Sequence, residues 1–314
     1  MGISSFNNFV GQNNVIERIL ILIKGSKIQN IALSHILLIG PPGIGKTTIA
    51  RLIAEELQVN FHSLEGTSIN KTSDIISILA NIKQSDIVFI DEIHVVNYEI
   101  LEVLYSALEG NFINIMIGKD YNNKFVKINL PSFTFIGATN KVGILTKALI
   151  SRIPNILQLS DYNYQDIKSI ISQVSLSLNW KLENNIINII ANHCRNIPRL
   201  IINIIKQLYN YCVVMNVDLN ETNILQILFF LQIYPLGLNS LQLAYLALFN
   251  NVNLDKSLSI ETICQLLNEE RKNLEIHYEP WLIHCGLITK TTKGRKITII
   301  GKEYINNNII LFRK

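Results

Sequence analysis

The sequence predicts an α/β domain, followed by a helical segment and by a tail that combines helices with a β-hairpin. Three observations support this order. In the first 160 residues, short apolar runs alternate with helical patterns, which is typical of a parallel sheet covered by helices on both faces. The middle of the chain shows helical periodicity without a clear strand, and the tail joins helical patterns to two short alternating runs. We therefore expect three domains, with bounds 1–160, 161–232 and 233–314.

The first domain contains three apolar runs with the length and composition of buried strands. A helical pattern with apolar residues at three- and four-residue spacing follows the first run. The predicted strands are 36–39, 87–90 and 133–136, and the helix after Gly45 has Ile49, Leu52, Ile53 and Leu57 on one face.

The second and third domains are predicted to be mainly helical. In the middle segment, three amphipathic patterns cover 166–178, 183–194 and 198–213. In the tail, helical patterns at 240–248, 260–267 and 270–278 precede alternating runs at 287–291 and 296–300, which bracket a turn at 292–295. Three helices with a basic hairpin predict a winged helix-turn-helix.

The composition raises the question of a membrane protein. The chain has 314 residues, of which 48% are hydrophobic and only 17% charged, and its mean hydropathy is +0.26. However, no uninterrupted apolar run approaches the roughly 18 residues that span a bilayer. Residues 1–10 lack the basic and apolar regions of a signal peptide, and the four cysteines show no CxxC spacing, which favours reduced thiols. We therefore expect a cytoplasmic protein with no membrane partner.

The net charge of +4 is unevenly distributed. Residues 271–314 contain nine Lys or Arg and three Glu, so this segment carries about +6 while the preceding residues carry about −2. A basic end on a slightly acidic body indicates a polyanionic partner, although solvated basic tails without a partner are also common.

A phosphate-binding loop is indicated by the sequence GPPGIGKTT at 40–48, which matches GxxxxGK[ST] between a strand and a helix. Gly43 and Gly45 allow backbone N–H groups to surround a phosphate, and the helix N-terminus adds its positive end. We expect Lys46 to reach the β- and γ-phosphates and the Thr47 hydroxyl to bind Mg²⁺. The alternative is a chance glycine-rich turn.

Two carboxylates follow the predicted strand 87–90 directly, in the sequence Asp91-Glu92-Ile93-His94. Asp91 suits the coordination shell of Mg²⁺, and Glu92 suits the orientation and deprotonation of an attacking water. The alternative is that both acids merely solvate the end of a strand. His94 is interpreted as a loop histidine, because there is no HExxH motif or other ligand cluster.

A polar side chain, Asn140, follows the strand that begins at 133 and is placed to sense the γ-phosphate and the water. A P-loop, an Asp-Glu strand and a polar-ended strand, in this order, resemble the AAA+ ATPases. In that family, an arginine at the position of Arg152 projects into the neighbouring subunit's nucleotide site, and Arg199 resembles the sensor-2 arginine. For a lone arginine, the alternative is a surface salt bridge.

A closer resemblance covers nearly the whole chain. It is carried by the stretches GPPGIGKTT, DEIH, NIMIGK, LPSFTFIGATN and YEPWLIHCGLI and by the pair Pro198-Arg199. Together they resemble the RuvB family of bacterial Holliday junction branch-migration motors. The resemblance implies ATP and Mg²⁺ as cofactors, a homo-hexameric ring, sequence-independent binding to junction arms in recombination and repair, and RuvA, with RuvC as a further partner.

The resemblance also implies roles for individual residues. Arg152 would act on the phosphates from the neighbouring subunit and Arg199 from the same subunit. In addition, Gly43, Lys46, Thr47 and Thr48 would hold the phosphates, Phe9, Val10 and Tyr162 would flank the adenine, and Lys290, Lys293 and Arg295 would contact the DNA backbone at the wing. Such contacts are salt-sensitive and carry no sequence preference.

The segment 113–130 alternates apolar and polar residues around the polar stretch 118–124, which predicts a β-hairpin. In the RuvB family, the corresponding hairpin docks on RuvA. The alternative is an ordinary hairpin at the edge of a sheet.

The chain departs from the family pattern at four places. Residues 1–3 replace a Leu-Arg-Pro stretch that lies against the nucleotide, and Ile150 replaces the first arginine of an Arg-x-Arg pair. Asn140 stands where threonine is usual, and the wing has lysines where the family tends to have arginines. Lysine retains the charge but loses the fork geometry of arginine.

Two other functions use the same ATPase motifs. The first is a clamp-loader-like or initiator-like switch that uses ATP to load another protein; base-specific DNA recognition would favour the initiator. The second is a degenerate ATPase that serves as a scaffold. The winged-helix tail argues against a clamp loader but fits an initiator. The presence of Glu92, Arg152 and the other ATPase residues argues against a degenerate scaffold.

Overall fold

The computed structural model describes residues 5–117, 124–250 and 256–308. Contacts divide the chain into two compact units, Met1–Ile170 with Asn196–Leu200, and Ile171–Arg195 with Ile201–Lys314. Up to residue 177 the elements are α1 (Asn13–Gln29), β1 (Ile36–Ile39), α2 (Lys46–Leu57), β2 (Phe61–Glu65), α3 (Thr72–Leu79), β3 (Ile87–Asp91), α4 (Tyr98–Gly110), β4 (Phe112–Ile117), β5 (Lys124–Asn129), β6 (Thr134–Thr139), α5 (Lys147–Ser151), β7 (Asn155–Gln158) and α6 (Tyr164–Ser177).

A five-stranded parallel sheet forms the centre of the first unit, with the strand order β2-β3-β6-β1-β7. β1 covers the predicted residues 36–39, and β3 extends the predicted strand by one residue, to Asp91. β6 starts one residue later than predicted and continues to Thr139, because residues 137–139 remain paired with β1. The carboxyl ends of β1, β3 and β6 therefore lie side by side at one edge of the sheet.

Alternate residues of the central strands pack against helices on opposite faces of the sheet. Leu37, Val88 and Phe135 belong to one core cluster, together with apolar residues of α3, α4 and α5. The intervening strand residues are also buried, and α2 contacts β3 and β6 with a face that is buried at Ile49 and Ile53. The predicted parallel sheet with helices on both faces is confirmed.

The two outer strands of the sheet, β2 and β7, were not predicted. β2 has the sequence FHSLE, and none of its five residues is fully buried, while in β7 only Leu157 is buried. A strand at the edge of a sheet therefore lacks the apolar run by which a central strand is found.

The predicted hairpin is formed by β4 and β5, which pair antiparallel from Phe112 opposite Asn129 to Ile117 opposite Lys124. Residues 118–123 lie outside the described part of the chain. Ile113 belongs to the core cluster of the first unit, and Ile115 and Ile128 pack against it. Asn114 and Lys127, which pair with each other on the opposite face of the hairpin, are exposed, so the hairpin has one face in the core and another on the surface.

Beyond residue 177 the elements are helices followed by a short hairpin. The helix α9 was not predicted. Its residues Leu225, Phe229 and Phe230 are exposed by 45%, 59% and 66%, so apolar residues interrupt its polar face. The elements are α7 (Asn184–Asn192), α8 (Pro198–Met215), α9 (Glu221–Phe230), α10 (Ser240–Ala247), α11 (Ile260–Leu267), α12 (Arg271–Asn273), a π-helical turn (Leu274–Tyr278), α13 (Glu279–His284), β8 (Ile288–Thr291), β9 (Gly294–Ile297) and α14 (Ile299–Asn307).

The last part of the second unit is a winged helix, as predicted, with a core that joins α10, α11, α13, β8, β9 and α14. The second wing strand differs from the prediction of 296–300, because β9 covers Gly294–Ile297 and α14 starts at Ile299. The Thr298 hydroxyl accepts a hydrogen bond from the Gly301 N–H and thereby caps α14. A cap residue with a favourable hydroxyl therefore ends the strand three residues earlier than predicted.

Each helix of the described residues is too short or too polar to span a bilayer. The four cysteines are all free.

The half-buried histidine His35 makes the stability of the first unit sensitive to acid. Its Nδ1 accepts a hydrogen bond from the Phe135 N–H at 3.0 Å, and its Nε2 lies 3.2 Å from the Leu108 carbonyl oxygen, which fixes a neutral ring with the proton on Nε2. Burial lowers the pKa of His35 below its ordinary value of 6.5, against the opposing effect of the Leu108 hydrogen bond.

We expect the melting temperature to fall as the pH drops below about 6.5, because the unfolded chain then takes up a proton that folded His35 does not. Thermal unfolding at about pH 7.5 and about pH 5.5 measures this loss. His35→Asn should show a smaller pH-dependent drop than the unchanged chain, whereas replacing the exposed His277 by Asn should leave the drop as it is. An equal drop in the His35 and His277 variants would contradict the assignment.

Candidate functional site

The glycine-rich loop lies between the end of β1 and the start of α2, as the motif requires. Gly43 and Gly45 have left-handed backbone angles, with φ of +77° and +112°. A Cβ on Gly43 would lie 3.0 Å from Cβ of Arg199, and one on Gly45 would lie 3.1 Å from Cζ of Phe9. Both positions therefore need glycine, for the backbone angle and for the close approach.

Lys46 is the first residue of α2 and is buried, with 8% of its surface exposed. Its Nζ donates hydrogen bonds to the carbonyl oxygens of Gly40 at 2.8 Å and Pro41 at 2.9 Å. Burial lowers the pKa of Lys46. The nearby carboxylates of Asp91 and Glu92 counteract that effect, whereas the charge of Arg199 adds to it. Lys46 thus places a partly desolvated ammonium group at the loop, and a bound phosphate would stabilise its charge.

Thr47 and Asp91 form a direct link between the loop and β3. The Thr47 hydroxyl donates a hydrogen bond to Asp91 Oδ2 at 2.7 Å. A hydroxyl and a carboxylate are hard oxygen donors, and such donors bind Mg²⁺ together with substrate phosphates. The residues present therefore fit a magnesium–nucleotide complex: Thr47 and Asp91 would hold the ion, and the ion would neutralise phosphate charge. Among the described residues, no group of three or more His, Cys, Asp or Glu could hold a metal ion by itself.

Glu92 lies next to this pair and has an unusual backbone conformation. Its φ of 51° places it in the left-handed region, and its N–H donates to the Asp91 carboxylate at 3.0 Å. Non-glycine residues in this region store strain, which is common at functional sites. The side chain is exposed, so the carboxylate is available to a water molecule.

The end of β6 contributes two polar residues. Asn140 is exposed directly after the strand, at the predicted edge of the sheet. The buried Thr139 before it places its Oγ1 3.1 Å from Nδ1 of His94 and accepts a hydrogen bond from the Lys141 N–H at 2.9 Å. His94 therefore connects the segment after β3 to the end of β6, a contact that the interpretation as a loop histidine did not include.

The aromatic residues assigned to the adenine lie against the glycine-rich loop. Tyr162 is buried, and its hydroxyl donates a hydrogen bond to the Ile44 carbonyl at 3.1 Å. Burial raises the pKa of Tyr162 to about 12. Phe9 approaches Gly45, as described above, and the adjacent Val10 is half-buried. Phe9 and Tyr162 thus meet at the same loop.

Arg199 lies at the start of α8 and contacts the glycine-rich loop through its backbone. Its N–H donates a hydrogen bond to the Gly43 carbonyl at 3.3 Å, and its side chain is exposed. The segment Asn196–Leu200 belongs to the first unit, so this arginine and Lys46 are placed at one loop, as the resemblance implies.

Arg152 lies elsewhere in the first unit. It follows α5, and its guanidinium is bound by Glu109 at 2.7 and 3.1 Å and by the Ala148 carbonyl at 2.8 Å. Within the described residues, these polar contacts belong to α4 and α5, and none belongs to the glycine-rich loop.

The wing lysines are on the surface of the second unit. Lys290 on β8 is exposed and lies 3.4 Å from the Glu275 carboxylate, and Lys293 is exposed in the turn. Arg271, which the sequence analysis did not single out, also contacts Glu275, at 3.3 Å. Because Arg271 and Lys290 both contact Glu275, an exposed guanidinium lies near this wing lysine.

The structure contradicts the expected surface position of Arg295. The turn between β8 and β9 contains only residues 292–293, so Arg295 lies on β9 and is 4% exposed. Its guanidinium donates to both oxygens of Glu279, at 2.8 and 2.9 Å, and to Glu275 at 2.8 Å. The partner Glu279 is 2% exposed and also accepts a hydrogen bond from the Tyr245 hydroxyl.

Arg295 therefore neutralises a buried carboxylate instead of extending toward DNA. The Glu279 hydrogen bond raises the pKa of Arg295, and Arg295 is the main cause that lowers the pKa of Glu275 to about 2. Removing one partner of a buried pair typically costs about 3–5 kcal/mol of folding free energy. In sequence alone, a buried arginine beside a turn looks the same as an exposed one.

Comparison with known families gives two matches. Residues 2–159 match the family described as the Holliday junction DNA helicase RuvB P-loop domain, and residues 235–306 match the RuvB C-terminal winged helix domain.

Curated relatives and solved structures agree with these matches. The chain is 37% identical to the RuvB subunit of the Holliday junction branch migration complex from Mycoplasmopsis pulmonis over 302 residues, which is 96% of each protein. It is 38% identical to the corresponding subunit from Orientia tsutsugamushi over 305 residues, 96% of this chain and 94% of that protein. The solved structure of the Thermotoga maritima RuvB Holliday junction branch migration motor is similar with a TM-score of 0.78 and 31% identity, covering 97% of both chains. The chain belongs to the RuvB family.

Proposed function

We propose that this protein is an ATP-hydrolysing motor that moves duplex DNA during the branch migration of Holliday junctions, in recombination and repair. The observation that carries the proposal is the arrangement at the carboxyl edge of the sheet in a RuvB-family chain. There, Lys46, the Thr47–Asp91 pair and the strained Glu92 converge. In this reading, residues 1–160 are the ATPase domain, 161–232 the helical lid and 233–314 the DNA-binding domain of a cytoplasmic protein.

ATP and Mg²⁺ are the cofactors that this chemistry requires. The loop of Gly43 and Gly45 and the adjoining Thr48 cradle the phosphates by their backbone N–H groups, and Lys46 supplies charge. Phe9, Val10 and Tyr162 flank the adenine. Glu92 orients and deprotonates the attacking water, while Asn140 contacts it from the neighbouring strand.

Two arginines complete the site from different chains. Arg199, at the start of α8 beside the glycine-rich loop, acts on the nucleotide of its own subunit. Arg152 acts on the nucleotide of the adjoining subunit. Support for the second role comes from its position away from the glycine-rich loop of its own chain. A residue that completes a neighbour's site requires a head-to-tail ring, and we propose a homo-hexamer.

The wing binds DNA through Lys290 and Lys293, and the tail's excess of about six positive charges attracts the duplex. Arg295 is not among these contacts, because Glu279 holds it in the interior. The exposed face of the 113–130 hairpin is the docking site for RuvA, and RuvC is a further partner of the assembly.

An unwinding assay on a synthetic four-way junction tests this function. We expect ATP-dependent separation of the junction into two duplexes, and we expect a RuvA partner to stimulate it. Activity on a simple forked duplex, with none on the junction even when RuvA is present, would contradict the assignment. Preference for one DNA sequence would favour an initiator instead.

Removing the wing lysines should weaken DNA binding equally for all sequences. Each of Lys290→Ala and Lys293→Ala is expected to reduce the slope of log affinity against log salt concentration by about 0.9, because each lost phosphate contact releases one counterion fewer. Titration of a fluorescent duplex at several salt concentrations measures the slope. Lys83→Ala, which removes an exposed lysine before β3, is the matched control. An unchanged slope in both wing variants would exclude the wing as the DNA-binding surface.

A further inference from the structure

The guanidinium of Arg152 is held at three points by its own subunit. Nε and Nη2 donate to Glu109 Oε2 at 3.1 and 2.7 Å, and Nη1 donates to the Ala148 carbonyl at 2.8 Å. The guanidinium carbon lies 5.1 Å from the centre of the Tyr105 ring, within range of a cation–π contact. Each of the three nitrogens is therefore engaged, and the plane of the group is supported from one side.

The supporting residues are themselves tied together. Tyr105 and Glu109 are four residues apart on α4 and share one face of that helix. The Tyr105 hydroxyl lies 2.6 Å from Oγ1 of Thr146, and Thr146 caps α5 by accepting the Leu149 N–H. α4 is thus connected to both ends of the short helix that precedes Arg152, and the site for the guanidinium is built by packing and by hydrogen bonds.

Binding to Glu109 leaves part of the guanidinium free. An arginine has five N–H donors, and the contacts to Glu109 and Ala148 use three of them. One of the remaining two is on each terminal nitrogen, Nη1 and Nη2, and these N–H groups can donate to phosphate oxygens. Glu109 can therefore hold Arg152 while the arginine engages a second acidic group.

Fold stability does not account for this pair. The Glu109 side chain is 68% exposed and that of Arg152 is 27% exposed, and exposed ion pairs contribute little free energy. What the pair does is restrict a long side chain that otherwise samples many rotamers. Such restriction matters for a group that must meet its target in one geometry.

We propose that Glu109 is a positioning residue that orients Arg152 for the γ-phosphate of ATP in the adjoining subunit. The inference rests on the proposed role of Arg152 across the subunit interface. Glu109 itself touches no nucleotide. It fixes the guanidinium by two hydrogen bonds and presents the two free N–H donors to the neighbour's site.

Steady-state ATP hydrolysis by the assembled protein tests the proposal. Glu109→Ala is expected to lower kcat by about 10- to 100-fold, the range that a misplaced catalytic group produces, with the KM for ATP unchanged. Glu109→Gln retains an acceptor oxygen and should fall between Glu109→Ala and the unchanged chain. Glu102→Ala removes an exposed carboxylate two turns earlier on α4 and is the matched control. A kcat for Glu109→Ala equal to that of Glu102→Ala would overturn the proposal.

A double variant separates positioning from other causes. In an Arg152→Ala background, Glu109→Ala should produce no further loss of kcat, because the group that it orients is already absent. A further loss of similar size would mean that Glu109 acts independently of Arg152, and would also overturn the proposal.

Mixed assemblies identify the subunit that carries the defect. Glu109→Ala subunits retain an intact nucleotide site, and Glu92→Gln subunits retain an intact Arg152. Mixing the two should restore ATP hydrolysis above the sum of the separate activities, as mixing Arg152→Ala with Glu92→Gln subunits should do. If activity recovers only in the mixture with Arg152→Ala subunits, Glu109 acts in its own nucleotide site. In that case the proposal for Glu109 fails while the role of Arg152 stands. If Arg152→Ala retains full turnover, the role of Arg152 fails, and the inference fails with it.

Discussion

Replacing Arg152 by alanine is expected to reduce ATP turnover of the assembled protein by about 10³-fold or more. The reason is that the guanidinium stabilises charge that develops on the transferred phosphoryl group, and this charge is absent from the ground state. The KM for ATP should therefore change little while kcat collapses. Phosphate release measured under saturating ATP, with the assembly state checked by sedimentation, gives both quantities.

Arg51→Ala is the control for the loss of a surface arginine, because Arg51 lies on α2 and its ring contact is with Phe61. Its turnover should remain near that of the unchanged chain. Full activity of the Arg152 variant in the assembled state would show that the nucleotide site is complete within one subunit. If Arg152→Ala loses both assembly and activity, Arg152→Lys serves as a second variant. Lysine retains the positive charge but lacks the forked pair of donors of arginine.

The central strands and the phosphate-binding loop could be predicted from sequence because their signals are local. A buried parallel strand is a continuous apolar run, and β1 and β3 stand out for that reason. The loop has a fixed spacing that backbone geometry imposes, with Gly43 and Gly45 at positive φ. Strand β2 at the sheet edge escaped prediction because it has no run of buried apolar residues, and helix α9 because it exposes both apolar and polar residues.

The contacts that organise the site could not be predicted, since they join residues that are distant in the chain. Glu109 and Arg152 are 43 residues apart, and His94 and Thr139 are 45 apart. Nothing in the spacing of such residues distinguishes a partner from a solvated side chain. The buried position of Arg295 has the same cause, because Glu279 lies on another helix. The positive charge was correctly located in the tail, but its division between surface and interior depends on the folded hairpin.

Replacing Glu92 by glutamine is expected to abolish multiple-turnover ATP hydrolysis while ATP binding is retained. The amide has nearly the same shape as the carboxylate but cannot accept a proton, and the loss of a general base costs about 10²- to 10⁴-fold in rate. Binding is retained because Lys46 and the Thr47–Asp91 pair are not altered. The variant should therefore hold ATP without releasing phosphate, which a filter-retention assay with labelled ATP measures directly.

The comparison with Lys46→Ala makes the result specific. Lys46 is the buried cation of the loop, hydrogen-bonded to Gly40 and Pro41, and its loss should remove ATP binding and hydrolysis together. A chain in which Glu92→Gln hydrolyses ATP at the original rate would contradict the role of Glu92 as the base. If in addition Lys46→Ala bound ATP normally, the degenerate scaffold would become the better interpretation. The left-handed backbone of Glu92 is a conformation that other non-glycine residues of the described chain also adopt, and contacts around the residue hold it. Here the enforcing contact is the hydrogen bond from the Glu92 N–H to Asp91, so the geometry of the base depends on the residue that would hold the metal ion.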